Sequence, residues 1–243
     1  MKNIILLFLI NIVYSQNNEI TAEYFFTDSF HNIETKSILD CKNTSSTYVT
    51  YLNRKKSKLL NEDEMTINIK SKKINQYIIF NKSKDEIKTF DNIKNNIYQI
   101  TEKKTKFNWN FKYPEIKKIK NYTCNKATVN FRGRHYIAWF TTEIPTSFAP
   151  WKFSGLPGLI LELSDDTNTY KWSISKIKFN SIKKLKIPYE KYTTVTLREF
   201  INLKKQKLEK LRAKIRSVLP RGTTFTKPAV SRMGLEVTYE WEK

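Results

Sequence analysis

Glycine is scarce in this chain, with five residues in 243, too few to furnish phosphate-cradling loops, a collagen repeat or flexible linkers. Two cysteines cannot staple a disulfide-rich miniprotein, and two histidines, His31 and His135, leave little material for a zinc site. No Gly-x-Ser-x-Gly, His-Glu-x-x-His or Walker sequence occurs, so no nucleophile elbow, metalloprotease helix or nucleotide loop is signalled. Beyond residue 15 no apolar run approaches the roughly 20 residues that a membrane helix needs. Acid is also in deficit, with 23 Asp and Glu against 44 Lys and Arg and a net charge of +21. What is present is core material: 40% hydrophobic and 14% aromatic residues exclude a disordered polar chain. The length suits one domain that buries a core of its own.

Lys2, the apolar run Ile4 to Ile10 and the small residues Val13 and Ser15 read as a secretory signal. Asn11 interrupts the run, and cleavage after Ser15 is expected. The expected organisation is a signal peptide at 1–15 and one β-rich domain at 16–243, in a periplasmic or secreted protein with no transmembrane span after cleavage. Export weakens nucleic acid as a partner. The lysines are dispersed among Asn and Ile, as in Lys55-Lys56, Lys103-Lys104 and Lys117-Lys118, which reads as a solvated surface; an anion-binding role is the alternative. Export also permits a disulfide between Cys41 and Cys124, but two buried thiols are equally compatible with the spacing. A catalytic thiol is the weakest reading, since no His lies near either Cys in sequence.

Period-two alternation dominates from residue 19 to about 180. Strands are expected at Ile20 to Thr27, Thr47 to Leu52, Met65 to Lys70, Gln76 to Phe80, Ile97 to Glu102, Phe107 to Phe111, Thr123 to Phe131, His135 to Thr141, Leu159 to Leu163 and Tyr170 to Phe179, with a last one at Leu235 to Trp241. Short turns between them favour an antiparallel meander with one wet face. Thr196-Leu197-Arg198-Glu199 is a capping box, and Phe200, Ile201, Leu208, Leu211, Ile215 and Val218 follow at helical spacing, predicting an amphipathic helix over about 196–219 ended by Pro220 and Gly222. Its other face carries Lys204, Lys205, Lys207, Lys210, Arg212, Lys214 and Arg216. That face is either solvated surface or a docking surface for anionic lipid, lipopolysaccharide or an acidic partner.

Three of the five Gly and three of the seven Pro fall between Gly133 and Gly158. Residues 123 to 141 predict a hairpin turning at Arg132-Gly133, where Gly supplies a positive φ. One face gathers Ala127, Val129, Phe131, Tyr136, Ala138 and Phe140 as core; the other is mixed and holds Cys124, Lys126, His135 and Trp139. Arg132 and Arg134 flank the turn, with Glu143 as an expected partner for either. Leu156-Pro157-Gly158-Leu159 predicts a type II turn launching a buried strand. Ile144-Pro145 and Ala149-Pro150 hold the loop between extended, with Phe148, Trp151 and Phe153 free to fold over the sheet.

The run Gly155-Leu156-Pro157-Gly158-Leu159-Ile160 resembles the namesake motif of the GLPGLI family of secreted bacterial proteins. The resemblance extends over Asn121 to Thr128, Phe131 to Arg134, Ala138 to Thr141, Glu143 to Pro145 and Trp151 to Phe153, and more weakly over about 77–179, roughly half the chain. Asn121 and Ala149 stand where the family usually has Gly. The family carries no established activity. By analogy with periplasmic carriers, the resemblance implies a mainly β fold: a curved antiparallel sheet or half-open barrel with one C-terminal amphipathic helix.

The leading functional expectation is therefore a noncatalytic envelope protein that binds a lipid, a peptide or an outer-membrane protein, using Arg132, Arg134, His135, Trp139, Glu143, Phe148, Trp151 and Phe153 as its contact surface. Core filling by those aromatics is the competing reading. One alternative is a periplasmic hydrolase with His135 and Glu143 as acid and base; another is polyanion binding through the basic helix. No cofactor, metal or specific nucleic acid is expected.

Overall fold

The computed structural model describes residues 19–52, 74–180, 185–218 and 234–242. The expected signal peptide, the strand expected at Met65 to Lys70 and the helix stop expected at Pro220 and Gly222 lie outside the described residues.

Among the described residues twelve strands form one sheet: β1 (Ile20–Asp28), β2 (Ile33–Cys41), β3 (Ser45–Thr50), β4 (Gln76–Asn81), β5 (Glu86–Ile93), β6 (Asn96–Lys103), β7 (Ile116–Ile119), β8 (Tyr122–Phe131), β9 (Arg134–Thr141), β10 (Leu159–Asp165), β11 (Tyr170–Phe179) and β12 (Thr193–Thr196). Their order is β12-β6-β5-β4-β3-β2-β1-β11-β10-β9-β8-β7. Every pairing is antiparallel except β12 with β6, which is parallel. The helix α1 (Leu197–Val218) leaves β12 directly. The expected mainly β architecture is present, as an open sheet and not a closed barrel.

Four strands escaped the alternation pattern. β2 buries Thr35 and Ser37, polar residues that disguise its inward face, and β5 likewise buries Thr89. β7 and β12 are only four residues long. Two expected strands do not form. Phe107 to Phe111 touches the sheet through one bridge, Asn110 to Thr128, and turns Phe107 and Trp109 inward. Leu235 to Trp241 lies extended and ends in a 3₁₀ turn at Glu240–Glu242, because it crosses the β8–β9 turn and finds no strand edge to join.

The sheet curls tightly. Register shifts at Glu23/Tyr24 in β1 and at Ile160/Glu162 in β10 are bulges, which bend a strand and increase its twist. The bulge in β10 leaves the Ile160 carbonyl to accept from the Tyr24 hydroxyl at 2.8 Å. Curling is demonstrated by the loop between β9 and β10. Phe148 packs on Phe80 of β4 at 5.3 Å, Trp151 on Phe131 of β8 at 5.7 Å and on Trp172 of β11 at 6.1 Å, and Phe153 on Tyr136 of β9 at 4.8 Å. In a flat sheet β4 and β8 would stand seven spacings, about 33 Å, apart. A single loop reaches both because it fills the concave face, burying Phe148, Trp151, Phe153 and Leu156 in the main core.

The helix follows the edge strand β12. It packs at the β6 and β12 edge, where Leu197 and Phe200 join Ile100 and Tyr239 in a separate small core. Its capping box forms as expected: the Thr196 N–H donates to Glu199 Oε2 at 2.7 Å, and the Glu199 N–H donates to Thr196 Oγ1 at 3.3 Å.

Candidate functional site

Arg132 and Gly133 turn the β8–β9 hairpin with φ of 44° and 85°, both positive as a type I′ turn requires. The predicted core face is buried throughout, from Ala127 to Phe140. The turn aims the Arg132 side chain back into the molecule. Its guanidinium meets Glu102 Oε2 of β6 at 2.9 Å, Glu240 Oε1 at 3.0 Å and the Glu236 carboxylate. Lys152, from the aromatic loop, joins the same cluster against Glu236 at 2.9 Å and against Glu102. The side chains of Arg132, Lys152 and Glu102 are each 5% exposed. Burial alone would raise the Glu236 pKa, but Lys152 and Arg132 outweigh it and hold the carboxyl below its usual range. Burial likewise disfavours the Lys152 ammonium, and Glu102 and Glu236 more than offset that.

This cluster joins β6, the β8–β9 turn, the aromatic loop and the C-terminal segment, whose Val237 and Thr238 N–H groups donate to the Arg132 carbonyl at 2.8 and 3.1 Å. Sequence reasoning missed Lys152, Glu102 and Glu236. Each is an ordinary surface residue type, and only the curl brings them together.

The expected partnership of Glu143 with an arginine does not occur. Glu143 accepts from the Thr123 N–H at 2.7 Å, while Arg134 pairs with buried Asp165 at 2.8 Å and donates to the Gly234 carbonyl at 2.7 Å. His135 stands near the start of β9 and Glu143 in the turn two residues past its end, with six residues or about 20 Å of extended strand between His135 and Thr141, so they do not form an acid/base pair. His135 is half-buried beside an open, polar groove of about 540 Å³ that also takes in Asp166 and Tyr239. Trp139 lies further along the same strand face, half-buried, with Lys117 over its ring at 5.6 Å. The expected contact surface is thus dispersed, and its loop residues Phe148, Trp151 and Phe153 are 4%, 6% and 2% exposed. All three belong to the main core cluster.

The motif at Gly155 to Ile160 serves packing. Gly155 has a φ of 95°. Gly158 is not at positive φ, contrary to the type II turn expected; it is required because a Cβ there would meet the Thr141 carbonyl oxygen at 1.9 Å. Leu156, Leu159 and Ile160 are buried.

Cys41 and Cys124 are both buried free thiols, on β2 and β8 with four strands between them, so the bridge is not made. Burial pushes the Cys41 thiol up to about 12 and the Cys124 thiol to about 11, which favours the thiol over the nucleophilic thiolate. Among the described residues no group of three or more His, Cys, Asp or Glu is placed to hold a metal ion, and no helix is long and apolar enough to cross a membrane.

One cleft combines an aromatic floor with polar walls. Trp151 and Trp172, stacked at 21° between planes, lie at its base with Phe26; Thr50, Gln76 and Asp91 line its walls, in a volume of about 360 Å³. Lys204 of α1 pairs with Asp91 at 2.9 Å on the wall. The Trp172 indole N–H donates to the Tyr48 hydroxyl at 2.8 Å, fixing the floor. Trp151 holds its position with a φ of 58°, unusual for so bulky a residue.

Residues 130–162 match a family model described as a protein of unknown function (Porph_ging). The comparison with curated proteins finds no match. Among solved structures the chain is similar to PNGF-II in space groups C2 and P21, each with a TM-score of 0.52 and 15% identity, covering 76% of this chain and 32% of that one. The chain spans about a third of the length of those structures, and the likeness concerns the fold alone.

Proposed function

We propose that this is an exported, noncatalytic binding protein that holds a small apolar ligand, a lipid tail or an apolar peptide side chain, in the cleft floored by Trp151 and Trp172. The cleft is the observation that carries the reading. Ligand sites are concave and mostly apolar, with a few convergent polar groups that set orientation, and their volumes start at about 300 Å³. The stacked indoles supply the first property, and Thr50, Gln76 and Asp91 supply the second. The groups that would otherwise suggest chemistry are engaged elsewhere: Arg132 and Lys152 neutralise glutamates, and His135 has no acid/base partner in Glu143.

Export rests on the signal-like start of the chain. Membership of the GLPGLI family is part of the same proposal, supported by the Gly155 to Ile160 run and by the Porph_ging match that spans it.

Native mass spectrometry of the protein purified from its own envelope, before and after organic extraction, tests the reading. An adduct removed by extraction, and absent from a Gln76→Trp variant that fills the cleft from its wall, is the expected result. An apo mass in both, with no change in tryptophan fluorescence on titration with fatty acid or apolar peptide, rejects it.

A further inference from the structure

The middle of α1 and the β5–β6 turn line one groove. Leu203, Lys207 and Leu211 form one stripe at i, i+4, i+8, and Gln206, Lys210 and Lys214 form the next. The facing turn contributes Lys94, at a φ of 56°. Four lysines from two separate elements therefore line one groove of about 590 Å³, and none of the described residues lining it is acidic. Among the described residues none of the four makes an ion pair, whereas Lys204, one turn away, is held by Asp91. Glu209 is exposed and lies outside the groove. Beneath the ammoniums the floor is apolar, built from Ile93, Tyr98, Leu203 and Leu211.

We infer that this groove is a headgroup site for an anionic phospholipid, through which the protein attaches to a membrane surface. This goes beyond the cleft reading and stands without it. Like charges drawn together without an acid are unfavourable unless an anion joins them; partial burial and Lys94 depress the pKa of Lys207, in keeping with that crowding. A bare phosphate would use the ammoniums and ignore the floor. A phospholipid uses both, placing its phosphate among the lysines and the start of its chains on Tyr98 and Leu211. Leu208, 46% exposed on the next face of the same helix, extends the apolar contact towards a bilayer.

The test is cosedimentation with phosphatidylglycerol vesicles and with phosphatidylcholine vesicles. Binding to the first and not the second is expected. Lys207→Glu with Lys210→Glu should weaken it roughly tenfold or more, and Lys94→Asn, which removes the ammonium while suiting the positive φ, should weaken it about threefold. A control pair, Lys112→Glu with Lys118→Glu, carries the same charge change on exposed positions far along the chain and should leave binding within about twofold. Equal loss in the two pairs would make the attraction a matter of net charge and overturn the site. Equally decisive against it is full competition by inorganic phosphate at concentrations matching the lipid phosphate, which would identify a free-anion site. Unchanged circular dichroism in each variant keeps misfolding out of the comparison, and failure of the cleft test leaves these outcomes untouched.

Discussion

Inside the curled sheet, Lys152 and Arg132 stand almost wholly buried among Glu102, Glu236 and Glu240; at the helix edge, Lys94, Lys207, Lys210 and Lys214 border an apolar groove without an acid. The same residue types thus meet opposite fates. In the interior, a charge survives only when paired, because the lost hydration must be replaced by partners. At the edge, hydration is largely retained and pairing is optional. The contrast teaches that the +21 charge is not one property of this molecule. A few cations are structural and neutralised, and the functional candidates are those left without counter-charge.

Breaking the interior cluster gives the largest effect. Glu102→Gln leaves Arg132 and Lys152 under-compensated and should cost about 3–5 kcal/mol in denaturant unfolding, whereas Lys207→Gln at the edge should lie within about 0.5 kcal/mol of the parent. Equal costs would erase the distinction. The pH dependence sharpens it. Glu236 titrates below its ordinary 4.5 in the folded protein, so its contribution is present above that pH and is lost as pH falls through the lowered value. Lys152 titrates above 10.5, so its contribution is present below that pH and is lost as pH rises through the raised value. Glu236→Gln should flatten the acid limb of a stability-against-pH curve and, because it removes one of the two carboxylates that raise Lys152, soften the alkaline limb as well.

Gly158→Ala should cost about 2–3 kcal/mol, because its Cβ meets backbone that cannot rotate away; thermal unfolding reads it. Thr196→Ala removes the helix cap and should cost about 1 kcal/mol with a small loss of helical ellipticity, at the edge region alone. The smallest expected effect is none: reductant should leave the melting temperature unchanged, and a thiol reagent should label neither Cys41 nor Cys124 until the chain is unfolded.

Much of this was legible in the residues. The hairpin at Arg132-Gly133, its core face from Ala127 to Phe140 and the Thr196/Glu199 cap all follow from local rules of period, turn chemistry and capping. So does the helix with its basic face. The site was less legible. The Pro residues around them put Phe148, Trp151 and Phe153 in one loop, but their destination depends on how far the sheet curls, and the curl depends on bulges at Glu23/Tyr24 and Ile160/Glu162 that leave no mark in the alternation.

By itself the sequence determined a β meander ending in an amphipathic basic helix, since period-two and period-3.6 patterns act between neighbours and need nothing remote. Tertiary structure alone decided that Glu102 faces Arg132 and Lys152, that Trp151 stacks on Trp172, and that Lys94 stands across from Lys207. Those pairs lie on elements far apart along the chain, and which of them meet is set by strand order and curvature, quantities to which no single segment holds the key.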